Sequence, residues 1–471
     1  MSLCAVNLLP HESQETSWRT GYFSFLNDKL DQIESEISMD KIEDITNAIF
    51  QNKSEILGQM ALGLIKQKHG DLLEQKYSEC PNCGKQIKAW NKKVKRKIES
   101  LAGSFDLYRP YFYCKKCNSG FYPLDEALGL SQSPKQYDIQ ALEAWLASEL
   151  PFETAAEAFS RCTGDTLSTD HVFQTANRIA NNLDIMDVFP TKEEIAEKIS
   201  ELSAGKFRRP VMMLAIDGAH APTRPEPSPR EGKRGKGKYK EVKGFRLYLV
   251  DKERIIHLIS WHQIQDDKGL AEALLTIKDA GLIPEEKIRL CAIADGASWI
   301  WNRVTEIFPT IKQILDWFHC SEYIHDLANE QYGKGTRSAQ EWVEATFARL
   351  FHNNVSTVIA GIKRMKPRSK GAEDEIAKVV RYLSNHRERM NYGAARRAGY
   401  HIGSGAIESA NKFISHVRLK RSGAWWYETN GNNILKLRCA KYNKTYDKII
   451  EIHKQVDREK TYAEFRSKPR L

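Results

Sequence analysis

Apolar residues recur three and four positions apart in "WRTGYFSFLNDKLDQIESEI" and "ITNAIFQNKSEILGQMALGLIKQK", the period of a helix with one buried face. Residues 1–75 are therefore expected to form an N-terminal helical region whose role is packing. The period then changes. "KKVKRKIESLAGSFDLYRPYFYC" alternates like two strands about a turn at Ala102-Gly103. Helical spacing returns over 131–207, where "IQALEAWLASELPFETAAEAFSRCTGDTLSTDHVFQTANRIANNL" reads as helix, turn, helix, with Ser168, Thr169 and Asp170 as capping side chains. The second helix there carries few basic residues beyond Arg178. Plain helical packing is therefore preferred to a DNA-reading helix-turn-helix, which stays open.

Residues 208–320 change character. "VMMLAID", "FRLYLVD", "RIIHLISWH" and "KIRLCAIAD" are short apolar runs rich in β-branched residues, with helical stretches such as "DDKGLAEALLTIKDAG" between them. Strands first in meander and then alternating with helices predict a mixed α/β sheet. The first two runs are separated by "APTRPEPSPREGKRGKGKYKEV", a Pro-, Gly- and Lys-rich loop that suits either a phosphate-contacting arm or a solubilising loop. Residues 321–402 are mostly helical. A glycine-led helix, "GSGAIESANKFISHVRLKRSG", opens the segment 403–447, and a charged tail, 448–471, follows.

Composition narrows the class only modestly. Hydrophobic residues make up 41% of 471, enough for a packed core. The net charge of +10 suits a polyanionic partner without requiring one. No apolar run approaches the length of a membrane span, and the start shows no secretory signal, so a cytoplasmic protein is expected, nucleoid-associated if the source is bacterial. Nine cysteines are an odd number, and four of them form two tight pairs. That is a metal pattern rather than a disulfide framework.

The pairs are Cys80 and Cys83 in "CPNCG", and Cys114 and Cys117 in "CKKC". Two Cys-x-x-Cys knuckles flanking a hairpin read as a four-thiolate structural zinc site, a zinc ribbon over residues 76–130, with no open position for catalysis. Lys92, Lys93, Lys95, Arg96 and Lys97 on its first strand suit either phosphates or a solvated face.

The second chemical signal is carboxylate. "VMMLAIDGAH" and "LCAIADGASW" each end an apolar run on Asp-Gly-Ala, at Asp217 and Asp295. A turn explains either pair alone. Side by side at strand ends they would form an anionic pocket that a divalent cation relieves, and oxygen ligands suit magnesium or manganese. Glu408, in the first turns of the glycine-led helix, supplies a third carboxylate, favoured there by the helix dipole. Lys412 and His416 follow along the same face and are expected to run along DNA. Arg418, Lys420 and Arg421 are expected to hold phosphates, with salt-sensitive affinity. Asp316 and His319, three apart in "LDWFHC", read as a supporting hydrogen-bonded pair rather than direct ligands.

Taken in order, "IDGAHAP", "IADGASWIW", "LDWFHCSEYIH" and "GSGAIESANKFISHVRLKRSGAWW", with the leading ribbon and "PLDEALGL", resemble insertion-sequence transposases with a DDE-type catalytic core, the ISKra family in particular. The resemblance covers roughly residues 76–445. It implies an RNase-H-like core in two parts, 208–320 and 403–447, interrupted by an all-helical insertion at 321–402. It places the catalytic acids at Asp217, Asp295 and Glu408 and matches Asp316 and His319 to an Asp-x-x-His element of related transposases. The expected activity is metal-dependent hydrolysis of phosphodiesters at transposon ends and strand transfer into target DNA. Two Mg2+ or Mn2+ ions serve the chemistry and Zn2+ is structural. The expected partner is double-stranded DNA, with at least a dimer acting and no membrane. Two rivals share the residues: an RNase-H-like nuclease without strand transfer, and a domesticated DNA-binding protein without chemistry. In a third reading the acids are turn residues of an unrelated fold.

Overall fold

A computed structural model describes residues 17–36, 41–225 and 236–467. The expected helical region at 1–75 is thus described in part, and residues 226–235 of the basic loop lie outside the described residues. The chain divides into two compact units, Met1–Asn182 with Ile450–Leu471, and Leu183–Ile449.

In the first unit, helices Ser17–Glu36 and Ile42–Leu73 precede a four-stranded antiparallel sheet. Its strands, in spatial and chain order, are β1 (Tyr77–Glu79), β2 (Gln86–Ser100), β3 (Gly103–Cys114) and β4 (Ser119–Phe121). The β2–β3 hairpin turns at Gly103, whose φ of 129° is open to glycine and strained for other residues. A Cβ at Gly103 would lie 2.1 Å from the carbonyl oxygen of Ser54, and one at Gly58 2.3 Å from that of Ser104. The two glycines let the helix Ile42–Leu73 pass hard against the hairpin. Leu62, Ile65 and Leu72 of that helix pack on Ile98, Phe105, Leu107 and Leu124. Helices Tyr137–Glu149, Phe152–Thr163 and Thr169–Asn181 come next. Ser168 caps the last of them by accepting the His171 N–H, as its position in the sequence suggests.

The second unit is a mixed α/β fold, as the strand pattern predicts. Its sheet contains β5 (Val211–Thr223), β6 (Lys238–Asp251), β7 (Arg254–Ile264), β8 (Arg289–Ala294) and β9 (Lys312–Leu315), in the order β7-β6-β5-β8-β9. β7, β6 and β5 are antiparallel neighbours, and β8 and β9 run parallel to β5. Every residue from Val211 to Ile216 is buried, which is why this strand reads as an unbroken apolar run rather than an alternating one. Leu214 lies at its centre, fully buried. Leu214→Ala is expected to cost about 2–5 kcal/mol, seen as a lower urea midpoint at unchanged slope.

Helices Asp267–Asp279 and Ser298–Ile307 connect β7 to β8 and β8 to β9. From Trp317 to Arg397 the chain holds only helices and the loops and short 3-10 turn between them. A later helical run, 405–419, contains a π-helical stretch at Asn411–His416, and helices Glu428–Tyr442 and Tyr446–Ser467 follow it in the chain. No helix of the described residues is long and apolar enough to cross a membrane.

Candidate functional site

β5 outruns its parallel neighbour. It pairs with β8 only as far as Ala215↔Ile293, but with β6 through Thr223↔Lys238. The sequence suggests a strand that stops at Asp217; the strand instead continues, because the antiparallel partner goes on supplying hydrogen bonds after the parallel one has ended. Asp217 therefore sits where one flank of β5 opens.

Register places the other acids beside it. Carried two residues past Ala215↔Ile293, the β5–β8 register sets Asp217 opposite Asp295. Carried one residue past Ala294↔Leu315, the β8–β9 register sets Asp295 opposite Asp316, and the Asp316 N–H does donate to the Ala294 carbonyl at 2.8 Å. On the other flank Asp217 pairs with Gly244, and Gly244 with His262. One row across the sheet thus reads His262, Gly244, Asp217, Asp295, Asp316.

Each member is fixed locally. Asp217 Oδ1 accepts its neighbour's N–H, from Gly218, at 2.7 Å, and Asp295 Oδ1 accepts that of Ala297 at 2.9 Å. The Trp301 indole donates to the Asp295 carbonyl at 2.8 Å. Gly296 admits Tyr382 of helix Lys370–Asn385, whose ring would stand 2.4 Å from a Cβ there. Asp316 is fully buried and caps helix Trp317–Tyr332. It accepts the backbone N–H of His319 and the His319 ring Nδ1–H, both at 2.8 Å, and the Ser404 N–H at 2.5 Å.

The helix at 405–419 closes the group. The Ser404 hydroxyl donates to Glu408 Oε1 at 2.5 Å, so Asp316 and Glu408 are linked through one serine. Asn411, three residues beyond Glu408, donates from Nδ2 to Asp217 Oδ2 at 2.7 Å. Gly244 leaves room for the buried His262 ring, which would lie 2.3 Å from a Cβ at that position. Burial lowers the His262 pKa to about 3, so the ring is neutral.

The charges interact. Burial first, then the charges of Asp295 and Glu408, push the Asp217 pKa up to about 6, against the Gly218 N–H and the charge of His319, which lower it. The hydrogen bond to Asp316, followed by the charges of Asp316 and Asp295, raises His319 to about 9. Asp217, Asp295, Glu408 and His319 therefore share one electrostatic environment, three carboxylates against one cation. The three carboxylates are not all within 4.8 Å of one another; among the described residues only the four cysteines reach that closeness.

Two consequences can be measured. Asp217 has its folded pKa above the ordinary value of 3.8, so its charge destabilises the metal-free fold at pH values above about 6, and the penalty fades as pH falls from 6 toward 4. Asp217→Asn is thus expected to remove roughly 1–2 kcal/mol of pH dependence between pH 5 and pH 7.5 in melts of the metal-free protein, on top of a pH-independent cost for setting one amide N–H against a donor. Asn411→Ala frees the Asp217 carboxylate and is expected to weaken divalent-ion binding roughly tenfold in calorimetry.

In the first unit, Cys80, Cys83, Cys114 and Cys117 bring their sulfurs within 4.8 Å of one another, with Cys83 and Cys114 3.8 Å apart. Both knuckles turn through a left-handed residue just after the second cysteine, Gly84 at φ 67° and Asn118 at φ 51°. The Lys85 N–H, then Cys117, lower Cys83, while the bond to Cys83 raises Cys117 and burial raises Cys80. Four converging thiols fit Zn2+, whose bonds of about 2.3 Å set sulfurs close to 4 Å apart.

The cations at 412–421, on and just after the 405–419 helix, divide. Lys412, Lys420 and Arg421 are exposed and His416 is half-buried. Arg418 is buried, 3% exposed, with its guanidinium 4.8 Å from the Trp426 ring centroid. The π-helical stretch adds a residue to the turn, so positions after it rotate off the face that ordinary helical spacing gives. Val417 turns outward and Arg418 inward, which removes Arg418 from the exposed phosphate-holding set. Sequence reasoning misses Asn411, Ser404 and His262. Ser404 and Asn411 leave a trace in the sequence, as polar residues one turn either side of Glu408, and His262 leaves none.

No family model matches this chain, and no curated protein matches it. Among solved structures, the Drosophila P element transposase strand transfer complex is similar at 11% identity and a TM-score of 0.25, over 66% of this chain and 80% of that one. A likeness this slight has no bearing on the functional assignment.

Proposed function

We propose that the chain is a DDE-type DNA transposase, with Asp217, Asp295 and Glu408 as its catalytic acids on an RNase-H-like core. The observation that carries this is the row Asp217, Asp295, Asp316 at parallel strand ends, with Glu408 and Asn411 docked over it from one helix. Three of those acids come from separate strands and the fourth from a distant helix. A set of unrelated turns has no reason to be cross-linked by Ser404 and Asn411. The ordered motifs that resemble insertion-sequence transposases support the same assignment.

Asp217, Asp295 and Glu408 would hold two Mg2+ or Mn2+ ions, which supply the charge that activates the attacking and leaving oxygens of a phosphodiester. The protein's own part is positioning. Asn411 fixes one oxygen of Asp217, Ser404 fixes one oxygen of Glu408, and Asp316 with the cationic His319 anchors the helix beside them. Lys412, Lys420 and Arg421 offer exposed charge for double-stranded DNA. The four thiols are proposed as a zinc ribbon. Joining two transposon ends requires at least a dimer.

The test is incubation of the protein with Mg2+, a labelled transposon-end duplex and a supercoiled plasmid. Label joined to plasmid supports the transposase. Cut ends without joining favour a nuclease, and binding without either favours a domesticated DNA-binding protein.

A further inference from the structure

The sequence groups Lys92, Lys93, Lys95, Arg96 and Lys97 as one cationic strand face. The fold splits them. Lys95 pairs with Asp106 at 2.8 Å, Lys97 with Glu99 at 2.8 Å, and Arg96 with the buried Asp125 at 2.6 Å. Lys92 and Lys93 stay exposed, at a bulge where the β2–β3 register shifts between Asn91 and Val94.

The knuckle end of the hairpin adds residues that the sequence does not group with them. Trp90 is 65% exposed on β2, an unusual place for an indole. Tyr113 of β3 meets it edge-on, with centroids 5.7 Å apart at 68°. The Tyr113 hydroxyl is bonded to Asn118, the left-handed residue of the second knuckle, so the thiol cluster and the aromatic pair are braced together. Lys115 lies 5.9 Å from the Trp90 ring centroid. Neither 85–93 nor 113–118 contains an Asp or Glu, while together they hold six lysines, all exposed. None of the six forms an ion pair with a described residue.

We propose that this hairpin end binds single-stranded nucleic acid, with an unstacked base on Trp90 and the flanking phosphates on Lys88, Lys92 and Lys93. An exposed, braced indole among uncompensated lysines combines the two elements of strand binding without sequence preference: a stacking platform and a cationic track. The bases of a closed duplex are stacked on each other and cannot offer a face to the ring, so the unpaired strand is the occupant that uses both elements. The inference goes beyond the transposase reading and does not need the acids.

The experiment measures binding of a short fluorescent single strand and of the matching duplex to the full-length zinc-loaded protein across a salt series. Trp90→Ala is expected to weaken single-strand binding roughly tenfold, with duplex binding and the salt slope little changed. Trp90→Tyr is expected to restore most of the loss, which separates stacking from misfolding. Lys92→Gln with Lys93→Gln is expected to lower the single-strand salt slope by about 1.4. Unchanged binding by Trp90→Ala overturns the proposal, as does an equal loss for strand and duplex. If the lysine pair matters and Trp90 does not, the surface is a general polyanion patch and the proposal fails. The readout is binding, so it stands or falls apart from any result with Asp295→Asn.

Discussion

Asp295→Asn is expected to leave DNA binding and the melting temperature near parental values while cutting and joining fall by on the order of a thousandfold or more. The amide keeps the shape and can still accept the Ala297 N–H, which Asp295 Oδ1 does at 2.9 Å. What goes is one negative charge from the pocket. Metal clamping of a phosphodiester is worth several kcal/mol in the transition state, and each 1.36 kcal/mol is a factor of ten in rate. The same change at Asp316 acts differently. Asp316 accepts three hydrogen bonds while buried, so Asp316→Asn is expected to lower stability as well as activity. Single-turnover assays on an end duplex, paired with thermal melts, separate the two. An Asp295→Asn protein that still joins ends at a tenth of the parental rate would return Asp217 and Asp295 to the status of turn residues.

The second large effect is expected at the thiols. Cys114→Ser should abolish zinc retention and unfold the hairpin end of the first unit. Cys114 is fully buried at the end of β3, 3.8 Å from Cys83. Binding of structural zinc is worth about 10–16 kcal/mol in small zinc domains, and most of it is folding free energy. The larger apolar cluster, built on Ile98, Phe105, Leu107 and Leu124, lies toward the turn at Gly103, and the knuckle end has chiefly the Phe112–Phe121 stack to hold it without metal. Metal content by mass spectrometry and proteolysis of the hairpin check this. Cys162→Ser is the control: Cys162 is exposed and stands apart from the cluster, so zinc content should not move. Parental protease resistance in a zinc-free Cys114→Ser protein would make the cluster a packing feature.

Different parts of this molecule were legible to different degrees. The cysteine knuckles are local: two residues of spacing and a following Gly or Asn state the turn. Val211–Ile216 announces a strand because both its faces are buried, and Asp217 and Asp295 stand out because each breaks such a run. Their adjacency is not local. It depends on the register between β5 and β8, which no residue pair in the sequence spells out. His262 and Gly244 join the row only through the β6–β7 pairing, and Asn411 reaches Asp217 only once its helix docks. The inward turn of Arg418 is hidden for a different reason: the π-helical stretch breaks the period by which a buried helical position is read.

The backbone enters its long helical excursion at Trp317 and leaves it at Ile402, and the Trp317 N–H donates to the Ile402 carbonyl at 2.8 Å. Immediately beside that gate, Asp316 holds Ser404. Everything between passes through a single doorway whose frame is already bolted shut at the acids. The excursion is nevertheless not an independent module, because Tyr382 packs at Gly296 beside Asp295 and Arg389 Nε donates to Gln313 Oε1 of β9 at 2.7 Å. Changes in its outer helices leave that doorway in place, whereas changes at Tyr382 or Arg389 travel straight to the row of acids.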